Sequence, residues 1–437
     1  MPVTISRRAT LAAGIGLLAT ACGAPAANTG APGRSPNPAH PISVDLAFAN
    51  LPPYVTALPK TLGADFTRRT GITVNLNNVG QASYEAVDQR VQAGLTSGSP
   101  PDIAMIGLNS VRTYTEQRLA MPLDTYMTPG RSFTTADFYP SFLELGKRDG
   151  KTYMLPYGVS VTMLYYNADI FRKAGLDPDR PPATLSALRS AAKRIVSSGA
   201  ARYGVSLGTD SSGLFPYQSL IFSHGGTLMN ADETRLTLTD SKVSSIIQYW
   251  ADITKSGLGQ PLTQATEQEA FLRGDLAMFF QTNSHIVGLT SAKPGFRIGF
   301  APFPIPDGGA RKAPAAGGGL VVLSKDPDKQ AAAWAVIAEL TGRGGATTLT
   351  KASGYLTANR AAARSGSYLA PFYRQNPGMR VAVSEAPDVV PWYQFPGIHA
   401  TEIMTLISND FLAARRGSKT VSQALADATK QTEALLP

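Results

Sequence analysis

From Ile42 onward the chain alternates strand-like and helix-like pieces, and no other feature limits its possible folds so strongly. Residues 43–48 predict a first strand, 58–70 a helix closed by Gly71, and 72–76 a second strand. Residues 84–95 carry apolar side chains at helical spacing, and 101–106 predict a third strand entered through proline. This βαβαβ run predicts an α/β architecture. Further on, residues 151–158 form a tight extended passage followed by 163–167, a crossover suited to a hinge strand. Residues 185–198 predict a helix, 203–207 a strand, and 243–256 a helix ended by Gly257. Residues 271–280 combine a helix end, a glycine stop and a buried strand. Residues 317–323 predict a glycine bend entering a strand, and 329–341 an alanine-rich amphipathic helix.

The 437 residues include one cysteine, Cys22. It ends an apolar segment that follows Ser6-Arg7-Arg8, giving a charged n-region, an h-region and a small-residue cleavage site. That segment falls short of the ~20 apolar residues a spanning helix needs. It resembles the bacterial lipoprotein signal, in which a small residue precedes the cysteine to be diacylated. Ala21-Cys22 fits, although Ala19 stands where leucine is usual. Lipidation at Cys22 is the expectation and simple secretion the alternative. Arg7-Arg8 also resembles a twin-arginine export signal, with Thr10 in the place of the typical phenylalanine; an ordinary n-region accounts for the pair equally well. Residues 1–21 are therefore expected to be a signal peptide. Residues 22–41, rich in Ala, Pro, Gly, Ser and Asn, are expected to be a lipidated flexible tether.

The remaining stretch of roughly 395 residues is enough for two domains. With no further cysteine, it forms no internal disulfide and no thiolate metal site, so a packed core must hold it together. The net charge of +9 is spread over scattered Lys and Arg, with short pairs at Arg68-Arg69 and Arg415-Arg416. That pattern predicts a solvated surface and no nucleic-acid partner. An anionic membrane close to the tether is a weak partner for the charge. No cofactor is expected.

Several segments together resemble a known family. They are Pro101-Asp102-Ile103, Pro156-Tyr157 followed by Leu164-Tyr165-Tyr166-Asn167, Gly225-Gly226, residues 271–278, Gly317-Gly318-Gly319, and Ser353-Gly354-Tyr355-Leu356. In order and spacing they resemble the family 1 extracellular solute-binding proteins of ATP-driven carbohydrate importers. The resemblance is to the maltose-binding-like proteins, and most closely to the glycerol-3-phosphate and glycerophosphodiester-binding group. It implies a two-lobed periplasmic-binding-protein-like α/β fold with hinge strands and a ligand cleft between the lobes. One lobe would comprise 42–157 plus 318–359, the other 158–317 plus 360–437. It further implies capture of a solute by hinge closure, delivery to an ABC permease, and a monomer held by its lipid on the outer face of the bacterial cell membrane.

A sugar site needs aromatic plates and polar side chains that donate and accept. The resemblance places Tyr84, Asn109, Ser160, Asn283 and Ser284 of the turn after the 276–282 strand, Gly317, Gly318 and Tyr355 at the ligand. Phe215 lies near Pro216 in a loop and either lines the cleft or tucks onto its own lobe. The phosphate-binding relatives place an arginine late in the chain, where this sequence has Pro391-Trp392-Tyr393-Gln394-Phe395-Pro396 and no arginine between Arg380 and Arg415. The expected ligand is therefore a neutral saccharide or polyol, with Trp392 or Tyr393 as a stacking plate. A phosphodiester is the alternative, and the same aromatics suit a choline head group. Trp250 and Trp334 sit at helical spacing in apolar faces and are expected in the core. Tyr165 and Tyr166 are expected against the sheet, with one of them able to reach the cleft. Asp210 and Glu385 are further polar candidates.

A secreted hydrolase is the rival class. Gly204-Val205-Ser206-Leu207-Gly208 matches the G-x-S-x-G nucleophile pattern, with His224, His285 and His399 downstream. Ser206, however, falls inside an alternating strand-like run, and the expectation is a chance match in a protein that is not an enzyme. A glycosidase needs two carboxylates across a cleft, for which Asp210 and Glu385 are the pair to check. The sequence carries no metalloprotease histidine pair, phosphate loop or metal-ligand cluster.

Overall fold

In the computed structural model, residues 36–127, 133–208 and 214–437 are described. The expected signal peptide, Cys22, most of the tether and Asp210 lie outside the described residues. The strands are β1 (Ile42–Phe48), β2 (Ile72–Asn78), β3 (Ile103–Gly107), β4 (Lys147–Arg148), β5 (Lys151–Thr152), β6 (Leu155–Ser160) and β7 (Thr162–Asn167). They continue with β8 (Tyr203–Leu207), β9 (Leu276–Thr282), β10 (Ile298–Pro302), β11 (Ala313–Val322) and β12 (Val389–Pro391).

Two main sheets form. The first runs β12-β11-β3-β1-β2, with β6 also paired to β11. In it β1 is parallel to β2 and β3, while β11 is antiparallel to β3 and β6. The second runs β10-β7-β9-β8. Every residue of β3, β6 and β7 is buried, which requires cover on both sheet faces and fits the absence of polar–apolar alternation along them. Helices supply that cover. Tyr84–Ser97 starts where Ser83 accepts from the Ala86 N–H and stops at Gly98 in the left-handed region. Ser241–Lys255 buries Val243, Ile246, Ile247, Trp250 and Ile253, an i, i+3, i+4, i+7 stripe that packs against the helix Ala400–Arg416. Trp250 and Trp334 are both core residues, as their spacing predicts. Among the described residues no helix is long and apolar enough to cross a membrane.

Two local expectations are corrected. The helix predicted over 58–70 is two helices, Pro52–Thr61 and Ala64–Thr70. Gly63 between them is extended, and a Cβ there would stand 2.9 Å from the Pro59 carbonyl oxygen. The glycine bend predicted at 317 is instead the middle of one strand, β11, with a register shift between Gly318 and Gly319. Gly317 has φ +116°, and a Cβ there would lie 2.0 Å from the Gly158 carbonyl oxygen, so the glycine permits strand pairing at close range.

The chain passes from the first sheet to the second across Val161 alone, which separates β6 from β7. It returns between β10 and β11. A third passage follows β12, which pairs parallel with β11 although it lies in the stretch expected for the second lobe; the free edge of β11 accepts it as a strand. Asn283 clamps the first passage. Fully buried, its side-chain oxygen accepts from the Val161 N–H at 2.7 Å and its amide donates to the Gly354 carbonyl at 2.6 Å.

Candidate functional site

A cavity of about 250 Å³ opens between the two sheets. Tyr84, Asn109, Ser160, Gly317 and Tyr355 line it from elements of the first sheet. Thr162, Phe215, Gln281, Ser284 and His285 line it from elements beyond Val161, and Trp392 closes it. Eight of the residues expected at a ligand are thus brought together: Tyr84, Asn109, Ser160, Phe215, Ser284, Gly317, Tyr355 and Trp392.

The tyrosine wall rests on a residue the sequence did not single out. Tyr54, buried in the helix Pro52–Thr61, stacks on Tyr355 with ring centroids 5.9 Å apart and planes 10° apart. It stacks on Tyr157 from another side, with centroids at 6.0 Å, and shares a 2.7 Å hydrogen bond between hydroxyls with Tyr84. Burial raises the pKa of Tyr54 and Tyr84 well above the usual phenol value, and the neighbouring phenols add to it, so both stay neutral. Gly318 is not at the cavity; it makes room for this cluster, since a Cβ there would approach the Tyr84 ring to 2.8 Å and the Tyr54 hydroxyl to 3.0 Å.

The opposite wall is polar. Ser284 and Thr282 share a 2.7 Å hydroxyl contact, and the His285 Nδ1 lies 2.6 Å from the Gln268 amide. Burial pulls the His285 pKa down to about 4, leaving a neutral imidazole. Trp392 packs on Phe215 with ring centroids at 5.0 Å. Phe215 belongs to no loop; it opens the helix Phe215–Ser223, with Pro216 at a first-turn position that needs no N–H. Among the described lining residues Glu85 alone carries a formal charge. Such a surface of hydroxyls, amides, a neutral imidazole and rings offers hydrogen bonds without an ionic partner.

Other expected residues lie elsewhere. Asn283 faces the Val161 clamp, not the cavity. Tyr393 turns away from Trp392: its N–H donates to the Gln218 side chain at 2.9 Å, its carbonyl accepts from the Gln218 amide at 3.0 Å, and its hydroxyl donates to Glu233 at 3.0 Å. Tyr165 and Tyr166 both stay off the cavity, donating their hydroxyls to the Thr282 and Pro178 carbonyls at 2.7 Å each. Glu385 is buried beside Arg311 at 3.2 Å and does not line the cavity. Ser206 lies within β8, is 1% exposed, and donates its hydroxyl to the Gln260 carbonyl at 2.9 Å. Among the described residues no three His, Cys, Asp or Glu side chains converge as metal ligands would.

A second cavity of about 400 Å³ adjoins the first and shares Asn109 and Trp392 with it. Here an ion pair joins elements of the two sheets. Arg112, on the helix Val111–Glu116 that follows β3, donates to both Glu233 carboxylate oxygens at 2.7 and 2.9 Å. Residues 121 positions apart in sequence carry no signal of this pairing.

The family of bacterial extracellular solute-binding proteins matches residues 49–347. The chain is 26% identical over 364 residues to the sn-glycerol-3-phosphate-binding periplasmic protein UgpB of Brucella abortus, covering 79% of this chain and 82% of that protein. Solved structures that share its fold include two further binding proteins. The cyclic α-maltosyl-1,6-maltose binding protein of Arthrobacter globiformis is 21% identical with a TM-score of 0.79, covering 90% of this chain and 99% of the other. UgpB of Mycobacterium tuberculosis, in complex with glycerophosphocholine, is 22% identical with a TM-score of 0.77, covering 90% and 98%. All three are binding proteins. The two sheets joined through Val161, the cavity between them and a family match over most of the chain agree: this protein belongs to the bacterial extracellular solute-binding proteins.

Proposed function

We propose that this protein captures an extracellular carbohydrate or polyol in the cavity between the two sheets and delivers it, by hinge closure about Val161, to an ABC import permease. The observation that carries the reading is the cavity wall: Trp392 on Phe215 and Tyr355 on Tyr54 supply ring faces, while Ser160, Thr162, Ser284 and neutral His285 supply donors and acceptors. A polyhydroxylated ring with a weakly apolar face matches both. The binding proteins it resembles take maltose-type saccharides, glycerol 3-phosphate or glycerophosphocholine, which frames the same choice.

The lobes divide near 42–157 with 318–359, and 158–317 with 360–437, with β12 reaching across to the first sheet. Cys22 carries the lipid that holds a monomer at the outer face of the cell membrane, and the ligand leaves unchanged, with no turnover. Thermal shift against neutral mono-, di- and oligosaccharides, polyols, glycerol 3-phosphate and glycerophosphocholine tests the ligand, because binding to the native state raises apparent stability by mass action. A shift with a neutral sugar that disappears in Trp392→Ala supports the reading. A shift confined to phosphodiesters replaces it with the alternative ligand class.

A further inference from the structure

Two nitrogens on the polar wall of the inner cavity have their hydrogen-bonding roles fixed from behind. Gln281, on β9 and 5% exposed, accepts the Thr282 N–H on its Oε1 at 2.9 Å. A backbone N–H can only donate, so the amide is oriented and its Nε2 is left as a donor without acceptor capacity. His285 stands at the start of the helix Ile286–Ser291, and its Nδ1 takes the Gln268 amide nitrogen at 2.6 Å. An amide nitrogen likewise only donates. Nδ1 is therefore the acceptor, and the single proton of the neutral ring sits on Nε2. Gln268 reaches it from the helix Gln264–Leu272.

Both Gln281 and His285 line the cavity, and neither Nε2 has a hydrogen-bond partner among the described residues. Nor is either nitrogen enclosed and orphaned, as the Trp392 indole nitrogen is. The hydroxyls of Thr282 and Ser284 beside them hold one another at 2.7 Å. A donor that faces a ligand and cannot change its role discriminates strongly, because a ligand lacking the matching acceptor leaves it unpaired in a site from which water has been displaced. A hydroxyl wall could adapt by rotating its protons, whereas these two nitrogens cannot.

We propose that Gln281 and His285 form a specificity-determining donor pair, so that the ligand must set acceptor oxygens against this wall, with Gln268 as the positioning residue behind the imidazole. This rests on the reading of the inner cavity as a polyhydroxyl site. One arm of the test needs no ligand. In protein carrying isotope-labelled histidine, nitrogen NMR spectra at neutral pH should show the His285 ring protonated on Nε2, its signals assigned by their loss in His285→Asn. In Gln268→Leu the ring should become a mixture of tautomers. A wild-type ring protonated on Nδ1 overturns the pair. The other arm is titration calorimetry with glucose, galactose, xylose, maltose and glycerol, followed by the singly deoxygenated and singly deoxyfluorinated forms of the tightest binder. At one or two positions the deoxy form should bind about tenfold weaker or worse, and the deoxyfluoro form, which accepts but cannot donate, should recover part of the loss. In Gln281→Leu/His285→Phe the deoxy penalty should shrink below about threefold, with ligand-free melting curves to check that the variant is folded. A deoxy penalty that the double variant retains, or a fluoro form no better than the deoxy form at every position, overturns the pair and leaves the polyhydroxyl reading intact. Failure of all five parent molecules to bind overturns both.

Discussion

Replacing Glu233 with glutamine should weaken ligand binding without touching ligand. The carboxylate takes two N–H groups from Arg112 at 2.7 and 2.9 Å and the Tyr393 hydroxyl at 3.0 Å. The Arg112 side chain is 11% exposed and that of Glu233 34%, so the pair is neither a surface bridge nor a fully buried one. Exposed pairs contribute about 0–1 kcal/mol, whereas breaking a buried pair costs about 3–5 kcal/mol. Discounting for the exposure of Glu233 places this one at about 1–2 kcal/mol. Arg112 and Glu233 lie on opposite sides of the Val161 passage in the chain, so under the proposed hinge closure the pair would act as a latch on the closed arrangement. Its loss should make closure roughly 5–30-fold less favourable and raise the apparent Kd by a similar factor.

Calorimetry gives the Kd, and small-angle scattering with and without ligand gives the closed fraction. Glutamine keeps the side-chain length and the φ of +53° at this turn, so the change removes charge with little else. An unchanged Kd together with an unchanged scattering profile refutes the latch. The pH dependence adds a second check. Hydrogen bonding from Arg112 holds the Glu233 pKa below its ordinary value, against the opposing effect of burial. A depressed carboxylate stabilises above its unfolded pKa and loses that contribution as pH falls through the lowered folded value. The latch should therefore survive from neutral pH down to the ordinary carboxylate range, about pH 4, and fail only beneath it.

Three further outcomes are expected. Asn283→Ala strands the buried Val161 N–H and Gly354 carbonyl and should lower stability by about 2–4 kcal/mol in calorimetric or denaturant melts, and Asn283→Asp, which sets a carboxylate oxygen against the Gly354 carbonyl in a fully buried site, should cost at least as much at neutral pH. His285, held near a pKa of 4 by burial, should stay neutral across pH 5–8, leaving its part in binding flat there. Because the native state then binds fewer protons than the unfolded chain, this histidine should cost stability as pH falls from about 6.5 to 4; an imidazole titrating near 6.5 by NMR contradicts the assignment. Gly318→Ala puts a Cβ 2.8 Å from the Tyr84 ring and should weaken ligand binding at least as much as it lowers the melting temperature, whereas full affinity would show that the tyrosine cluster is not part of the site.

The α/β class and most elements were legible because they depend on neighbours a few residues apart. The apolar stripe of Ser241–Lys255 and the buried run of β9 register in any short window. Where a single residue decided, the window misled. Gly63 stands extended between two helices where local reasoning ran one, and Gly317 kept a strand continuous that local reasoning ended in a bend.

The candidate site divides in the same way. Tyr84, Ser160 and Tyr355 were reachable from motif order along the chain, and the structure sets them around one cavity. Tyr54 carried no sequence signal beyond its two preceding prolines, yet its ring organises that wall. The turn that points Trp392 into the cavity and Tyr393 out of it is set by Gln218, 175 residues earlier.

Charge shows the division most clearly. The sequence by itself determined that no arginine stands beside Trp392 and that 40 cationic and 31 acidic residues leave an excess of +9. Only the tertiary structure decided where that excess falls, because Arg148 and Lys312 are 164 positions apart by residue number and meet at one cavity. Local propensity acts over a few residues, whereas Coulombic interactions and cavity walls depend on distances that folding alone creates.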